Sequence, residues 1–96
     1  MKLEEIKERI REYRRDFEEK YRVKNLAIFG SYIRGEQRKE SDVDILVEFT
    51  KPVSLLHIVS LENYLSDFLA VKVDVIPKKN IRKELREMIL KEAIPI

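Results

Sequence analysis

The 96-residue chain has no cysteine and no tryptophan, one histidine, three prolines and two glycines. Without cysteine there can be no disulfide, no thiolate zinc site and no thiol nucleophile. The single histidine, His57, has no cysteine or second histidine beside it, so a histidine-based metal site is not expected. No run of about 18 apolar residues occurs, so no segment is expected to span a membrane. The amino terminus, MKLEEIKERI, is too charged for a signal peptide, and a cytoplasmic protein is expected. An excess of one charge is also missing. The formal net charge is +2, which is not the footprint of a dedicated nucleic-acid-binding domain.

What is present is charge of both signs. Asp, Glu, Lys and Arg make up 40% of the residues, well above the usual quarter. Such enrichment is found in proteins of hot environments, where charge networks cost less to desolvate. Hydrophobic residues make up 44%, enough to exclude disorder and to build one core, so a single domain over residues 1–96 is expected.

The periodicities outline an α/β fold. Leu3, Ile6, Ile10, Tyr13, Phe17 and Tyr21 recur at steps of three and four, predicting one amphipathic helix over residues 3–21. Residues 26–29 read as a buried strand ending at Gly30. EQRKES at 36–41 reads as a polar loop, and DVDILVEF as a second strand begun by Ser41. Ser54 is a candidate N-cap for a helix over about 54–69. Residues 71–76 predict a third strand ended by Pro77, and residues 80–92 a last helix. The apolar tail Ala93-Ile94-Pro95-Ile96 suits packing on the body or on another chain. The order predicts a small α/β sandwich with a three-stranded sheet.

The informative stretch is 26–49. Side chains alternate along a strand, so Asp42 and Asp44 share one face while Val43, Ile45 and Val47 share the other. Like charges held side by side repel. A hard divalent cation is the natural partner for such carboxylates. Gly30 and Ser31 make a turn where backbone N–H groups and a hydroxyl can approach a ligand, with Arg34 and Gly35 close behind. Should the strand of Asp74 lie beside that of Asp42 and Asp44, about 4.8 Å away, three carboxylates meet at one edge. Two Mg²⁺ ions about 3.5–4 Å apart would neutralise them. The plainer alternative is a solvated acidic strand face with Asp74 unrelated. Lys78, Lys79, Arg82, Lys83 and Arg86 form a basic cluster that reads first as a solvated helix face.

Taken together, Gly30-Ser31, Arg34-Gly35, Ser41-Asp42-Val43-Asp44 and a separate Asp74 resemble the nucleotidyltransferase superfamily that includes DNA polymerase β. The GSYIRG and SDVDILVEF segments look like its minimal, MntA-like branch. The resemblance covers nearly the whole chain. It implies the polymerase β-like α/β fold, with a small mixed β-sheet flanked by helices, an ATP–Mg²⁺ site and transfer of a nucleoside monophosphate. It also implies a HEPN-family toxin as partner, with AMP placed on a tyrosine of that toxin in a type VII-like toxin–antitoxin pair. On that resemblance Gly30 and Ser31 would hold the β- and γ-phosphates. Asp42 and Asp44 would bind both metals, and Asp74 one metal and the acceptor's proton. Arg34 would contact phosphate or brace the turn.

Two departures stand out: the loop GEQRKE lacks small apolar residues, and Ala70 stands where a glycine is expected. The chain leaves little room for an acceptor pocket. The acceptor is therefore expected to be a protein, or a second subunit completes the cleft, and a homo-oligomer is compatible with this. The remaining alternatives are an antitoxin that works by occlusion alone and an adenylyltransferase for a small molecule.

Overall fold

The fold is taken from a computed structural model, which describes residues 2–36, 38 and 42–96. Two helices, α1 (Leu3–Glu12) and α2 (Arg14–Tyr21), lead into strand β1 (Val23–Phe29) and a single helical turn, α3 (Ser31–Arg34). Strand β2 (Val43–Phe49), helix α4 (Leu55–Leu69) and strand β3 (Val73–Pro77) follow. A 3-10 turn (Lys78–Asn80), helix α5 (Lys83–Glu92) and a short strand β4 (Ile94–Pro95) complete the order.

The sheet has four strands, in the order β3-β2-β1-β4, where the sequence predicts three. The fourth is the apolar tail. Ala27 pairs with Pro95 and Ile28 with Ile94, and the Ile96 amide donates to the Leu26 carbonyl at 3.0 Å. The Arg14 guanidinium donates to the Ile96 carbonyl. A two-residue strand has too little pattern to be read as one. β1 runs antiparallel to both neighbours, while β2 and β3 are parallel with α4 as their crossover. Parallel pairing needs such a long connection, and the 3.6-residue period of Leu61, Leu65 and Leu69 supplies it.

Both faces of the sheet are covered. Val43, Ile45 and Val47 of β2 lie with Ile6, Ile10 and Phe17 of the first helices and with Leu61, Leu65 and Leu69 of α4 in the main core. On the opposite face Leu46 packs with Ile81 and Ile89, joined by Phe29 and Ile76. α5 therefore lies over the face that carries the even-numbered side chains of β2 and β3, which include Asp44 and Asp74.

Other boundaries also differ. The predicted helix over 3–21 is broken at Tyr13, which has φ −113° and ψ 17°. Its apolar stripe continues across the break, which is why periodicity alone does not reveal it. The Tyr13 ring meets Phe68 edge to face at 4.8 Å. β3 includes Pro77 and starts at Val73, later than predicted. The last helix starts at Lys83, because the 3-10 turn takes residues 78–80. Ser54 caps α4 as expected, its hydroxyl accepting from the His57 amide at 3.1 Å. Of the predicted 36–41 loop, residues 37 and 39–41, Ser41 among them, lie outside the described residues.

Candidate active site at the β1–β2–β3 edge

The ladder registers bring the sequence-predicted residues together. Phe29 is the partner of Asp44 across β1 and β2, and Asp44 is the partner of Asp74 across β2 and β3. Gly30 follows Phe29 directly, so the turn ends up beside Asp44. Strand partners lie about 4.8 Å apart, and side chains level with one another in a parallel pair share a face. Two acids on different strands, separated by a whole helix in sequence, are thus neighbours.

Gly30 stands in that position for a physical reason. Its φ is +85°, and a Cβ added there would overlap Asp44 Oδ2. Only glycine lets the carboxylate lie against the backbone at this corner. Ser31 begins α3 and is half-buried. Gly35, at φ +69°, closes the turn in the left-handed region.

Asp44 is half-buried, and its carboxyl is pushed up from 3.8 to about 6. Burial is the largest cause, followed by the charges of Asp74 and Asp42, with Glu92 adding a smaller push and Arg34 opposing them. The three predicted aspartates are therefore close enough to feel one another. Asp42 precedes β2 and pairs with the exposed ammonium of Lys72 at 3.7 Å. Among the described residues no group of three or more His, Cys, Asp or Glu forms a ready-made metal cluster. The donors are all carboxylate oxygens, the chemistry that suits a hard cation such as Mg²⁺. An acid whose ionisation is resisted by two like charges would gain from one. The residues present fit the metal by that measure.

Sequence reasoning missed Glu92. It is the last residue of α5, and no local pattern distinguishes it from the chain's other acids. Its Oε2 accepts from the Gly30 amide at 3.1 Å, and its Oε1 accepts from Arg34 Nη1 at 2.7 Å. Arg34 Nε also donates to Glu36 Oε2 at 3.2 Å. These bonds, to Glu92 first and Glu36 second, hold the guanidinium pKa above its usual value.

Two other sequence features lie elsewhere. His57 Nε2 is 2.7 Å from the Tyr21 carbonyl oxygen, with the ring between Tyr21 and Phe49, a structural place near the start of α4. Of the basic cluster, Lys78, Lys79 and Arg86 are joined by Lys51 around a cleft of about 420 Å³. That cleft is built on the Phe49 end of β2, the opposite end from Asp44.

A family profile for the nucleotidyltransferase domain matches residues 10–96. The chain belongs to that family. It is 37% identical over 92 residues to the protein adenylyltransferase MntA of Thermococcus cleftensis, covering 96% of this chain and 93% of that one. It is 54% identical over 79 residues to a Methanocaldococcus jannaschii protein provisionally named a protein adenylyltransferase, covering 82% of this chain and 81% of the relative. A solved structure described as a provisionally assigned minimal nucleotidyltransferase superposes with a TM-score of 0.82 at 36% identity, over 100% of this chain and 97% of that one. The MNT antitoxin fold, solved in complex with a tri-AMPylated HEPN toxin of Shewanella oneidensis, is shared at a TM-score of 0.68 and 15% identity, over 94% of this chain and 70% of that one. The nucleotidyltransferase therefore has the mixed α/β fold and the enzyme class that its motifs imply. Among the described residues, no helix is long and apolar enough to cross a membrane.

Proposed function

We propose that this nucleotidyltransferase is a Mg²⁺-dependent protein adenylyltransferase that moves AMP from ATP to a tyrosine hydroxyl of a HEPN-family toxin, and so acts as its antitoxin. The observation that carries the reading is the pairing of Asp44 with Asp74 beside the turn at Gly30. The names of the MntA relative and of the toxin-bound neighbour support the acceptor class. An ATP-consuming reaction fits the cytoplasm, the compartment expected from the sequence.

In this reading the Gly30 turn and the Ser31 hydroxyl hold the β- and γ-phosphates, and Arg34 lies within reach of the same groups. Asp42, Asp44 and Asp74 are the residues that would hold Mg²⁺. When bound, the metal supplies charge neutralisation for the attacking and leaving oxygens. The salt bridge from Lys72 to Asp42 is exposed and weak enough to be exchanged. The acceptor oxygen attacks the α-phosphorus, the bond to the bridging oxygen breaks, and pyrophosphate leaves. Asp74 accepts the hydroxyl proton at its carboxylate. The protein contributes mainly position and preorganised charge, which is most of what phosphoryl transfer requires.

The test is transfer of label from α-labelled ATP to the co-purified partner in the presence of Mg²⁺. Asp42→Asn combined with Asp44→Asn is expected to abolish labelling. A second reading, antitoxin action by occlusion, is favoured by Leu55 and Leu56, which are 75% and 80% exposed on α4 and suit a protein contact. Full neutralisation of the toxin by the double variant would establish occlusion and remove catalysis as the function.

A further inference from the structure

Glu92 joins the two halves of the candidate phosphate site from the far end of the chain. One carboxylate serves two donors four residues apart: the Gly30 amide at 3.1 Å and Arg34 Nη1 at 2.7 Å. Two acids hold Arg34 at different nitrogens, Glu92 at Nη1 and Glu36 at Nε. Glu36 lies two residues along the chain, with its side chain 64% exposed, and bonds at 3.2 Å. Glu92 is 16% exposed, and Ile89, one helical turn earlier on α5, is buried in the second core. A charge-assisted bond from a shielded position outweighs one from a solvent-exposed partner. Glu92 therefore ties the guanidinium to the Gly30 amide through one carboxylate. In that position the Arg34 charge is felt at Asp44, where it opposes the push of the neighbouring acids.

We infer that Glu92 is a positioning residue: it sets the Gly30 turn and aims Arg34 at the polyphosphate of the incoming nucleotide. This rests on the nucleotide site proposed above. A carboxylate standing merely where a phosphate oxygen would go predicts the opposite sign, because its removal would tighten nucleotide binding.

The first readout needs no nucleotide. In the Arg34 Nη–H NMR signals, Glu92→Gln and Glu92→Ala both free Nη1 from its carboxylate and broaden its resonance. Gly30 amide exchange rises about tenfold in Glu92→Ala but stays near wild type in Glu92→Gln, which keeps an oxygen acceptor. The second readout is equilibrium binding of a non-hydrolysable ATP analogue with Mg²⁺. Glu92→Gln weakens it about five- to tenfold, Arg34→Ala does the same, and the double variant is no weaker than Arg34→Ala alone. Binding by Glu92→Gln as tight as wild type or tighter overturns the inference, as do multiplying losses in the double variant or an unchanged Arg34 signal. If even the wild type binds no analogue, the nucleotide reading fails, and the Arg34 and Gly30 signals still decide whether Glu92 fixes them.

Discussion

Asp44 and Gly30 lie against each other, and each constrains what the other can be. The Asp44 carboxyl, raised to about 6, binds its proton more firmly in the folded chain than in the unfolded one, where a value near 3.9 applies. Its contribution to stability is complete below about pH 4 and is lost as pH rises through about 6. Because the group is half-buried and partly screened, the loss should amount to roughly 1–2 kcal/mol rather than the full shift. Metal-free protein should therefore lose melting temperature between pH 4.5 and 7.5 by an amount that Asp44→Asn removes, and Mg²⁺ should raise it more at pH 7.5 than at pH 5. Thermal melts across that range, with and without Mg²⁺, check both statements. Gly30→Ala places a methyl group on the Asp44 oxygen at φ +85°. It should cost about 1–3 kcal/mol of stability and lower transferase activity further, read by denaturant melts alongside the labelling assay.

At the scale of the elements, the turn between α4 and β3 explains why a glycine is expected at position 70. Ala70 sits at φ 54°, in the left-handed region, as the C-cap of α4, and its amide donates to the Ser66 carbonyl. A left-handed alanine costs about 1–2 kcal/mol, while glycine loses about 0.5–1 kcal/mol more chain entropy on folding. The balance favours Ala70→Gly by about 0.5–1 kcal/mol, or roughly 2–6 °C in melting temperature for a chain of this size. Calorimetry should show that rise with nucleotide binding unchanged. A fall would mean that the turn is held by more than its backbone. α1 and α2 teach a different lesson. Six apolar residues on one stripe predict a continuous helix, yet the chain breaks at Tyr13, which is left exposed, while Ile6, Ile10 and Phe17 on either side stay in the core. Periodicity reports which face is buried and is silent on a break that preserves the phase.

For the molecule as a whole, the question is how a four-stranded sheet protects its edges. β3 is an outer strand, but its outward amides are taken by α4: the Val73 amide donates to Ser66 Oγ at 2.9 Å and the Val75 amide to Glu62 Oε2 at 2.8 Å. These side chains replace the strand that is missing on that side and deny it to other chains. Glu62→Ala should cost about 1 kcal/mol, speed amide exchange at Val75, and increase edge-to-edge association. Exchange mass spectrometry and light scattering would read the two effects. On the other side, β4 covers β1. The tail left open between two packing partners thus packs on its own sheet.

Much of the candidate site was legible beforehand because its residue types are chemically demanding. Gly30 beside Ser31, and two acids alternating with valine and isoleucine, constrain local geometry through φ and the two-residue period of a strand. Those local rules determined the mixed α/β character, the faces of β2 and the candidate residues. The sequence could not by itself place Asp74 against Asp44, since register between strands joined by a helix depends on how the whole core packs. Nor could it find Glu92, whose role follows from where α5 ends above the sheet, or the fourth strand, whose two residues pair only because β1 offers an open edge. Local backbone and patterning preferences act over a few residues and can be read in order. Contacts between distant segments arise from burying two apolar faces at once, and only the folded chain decides them.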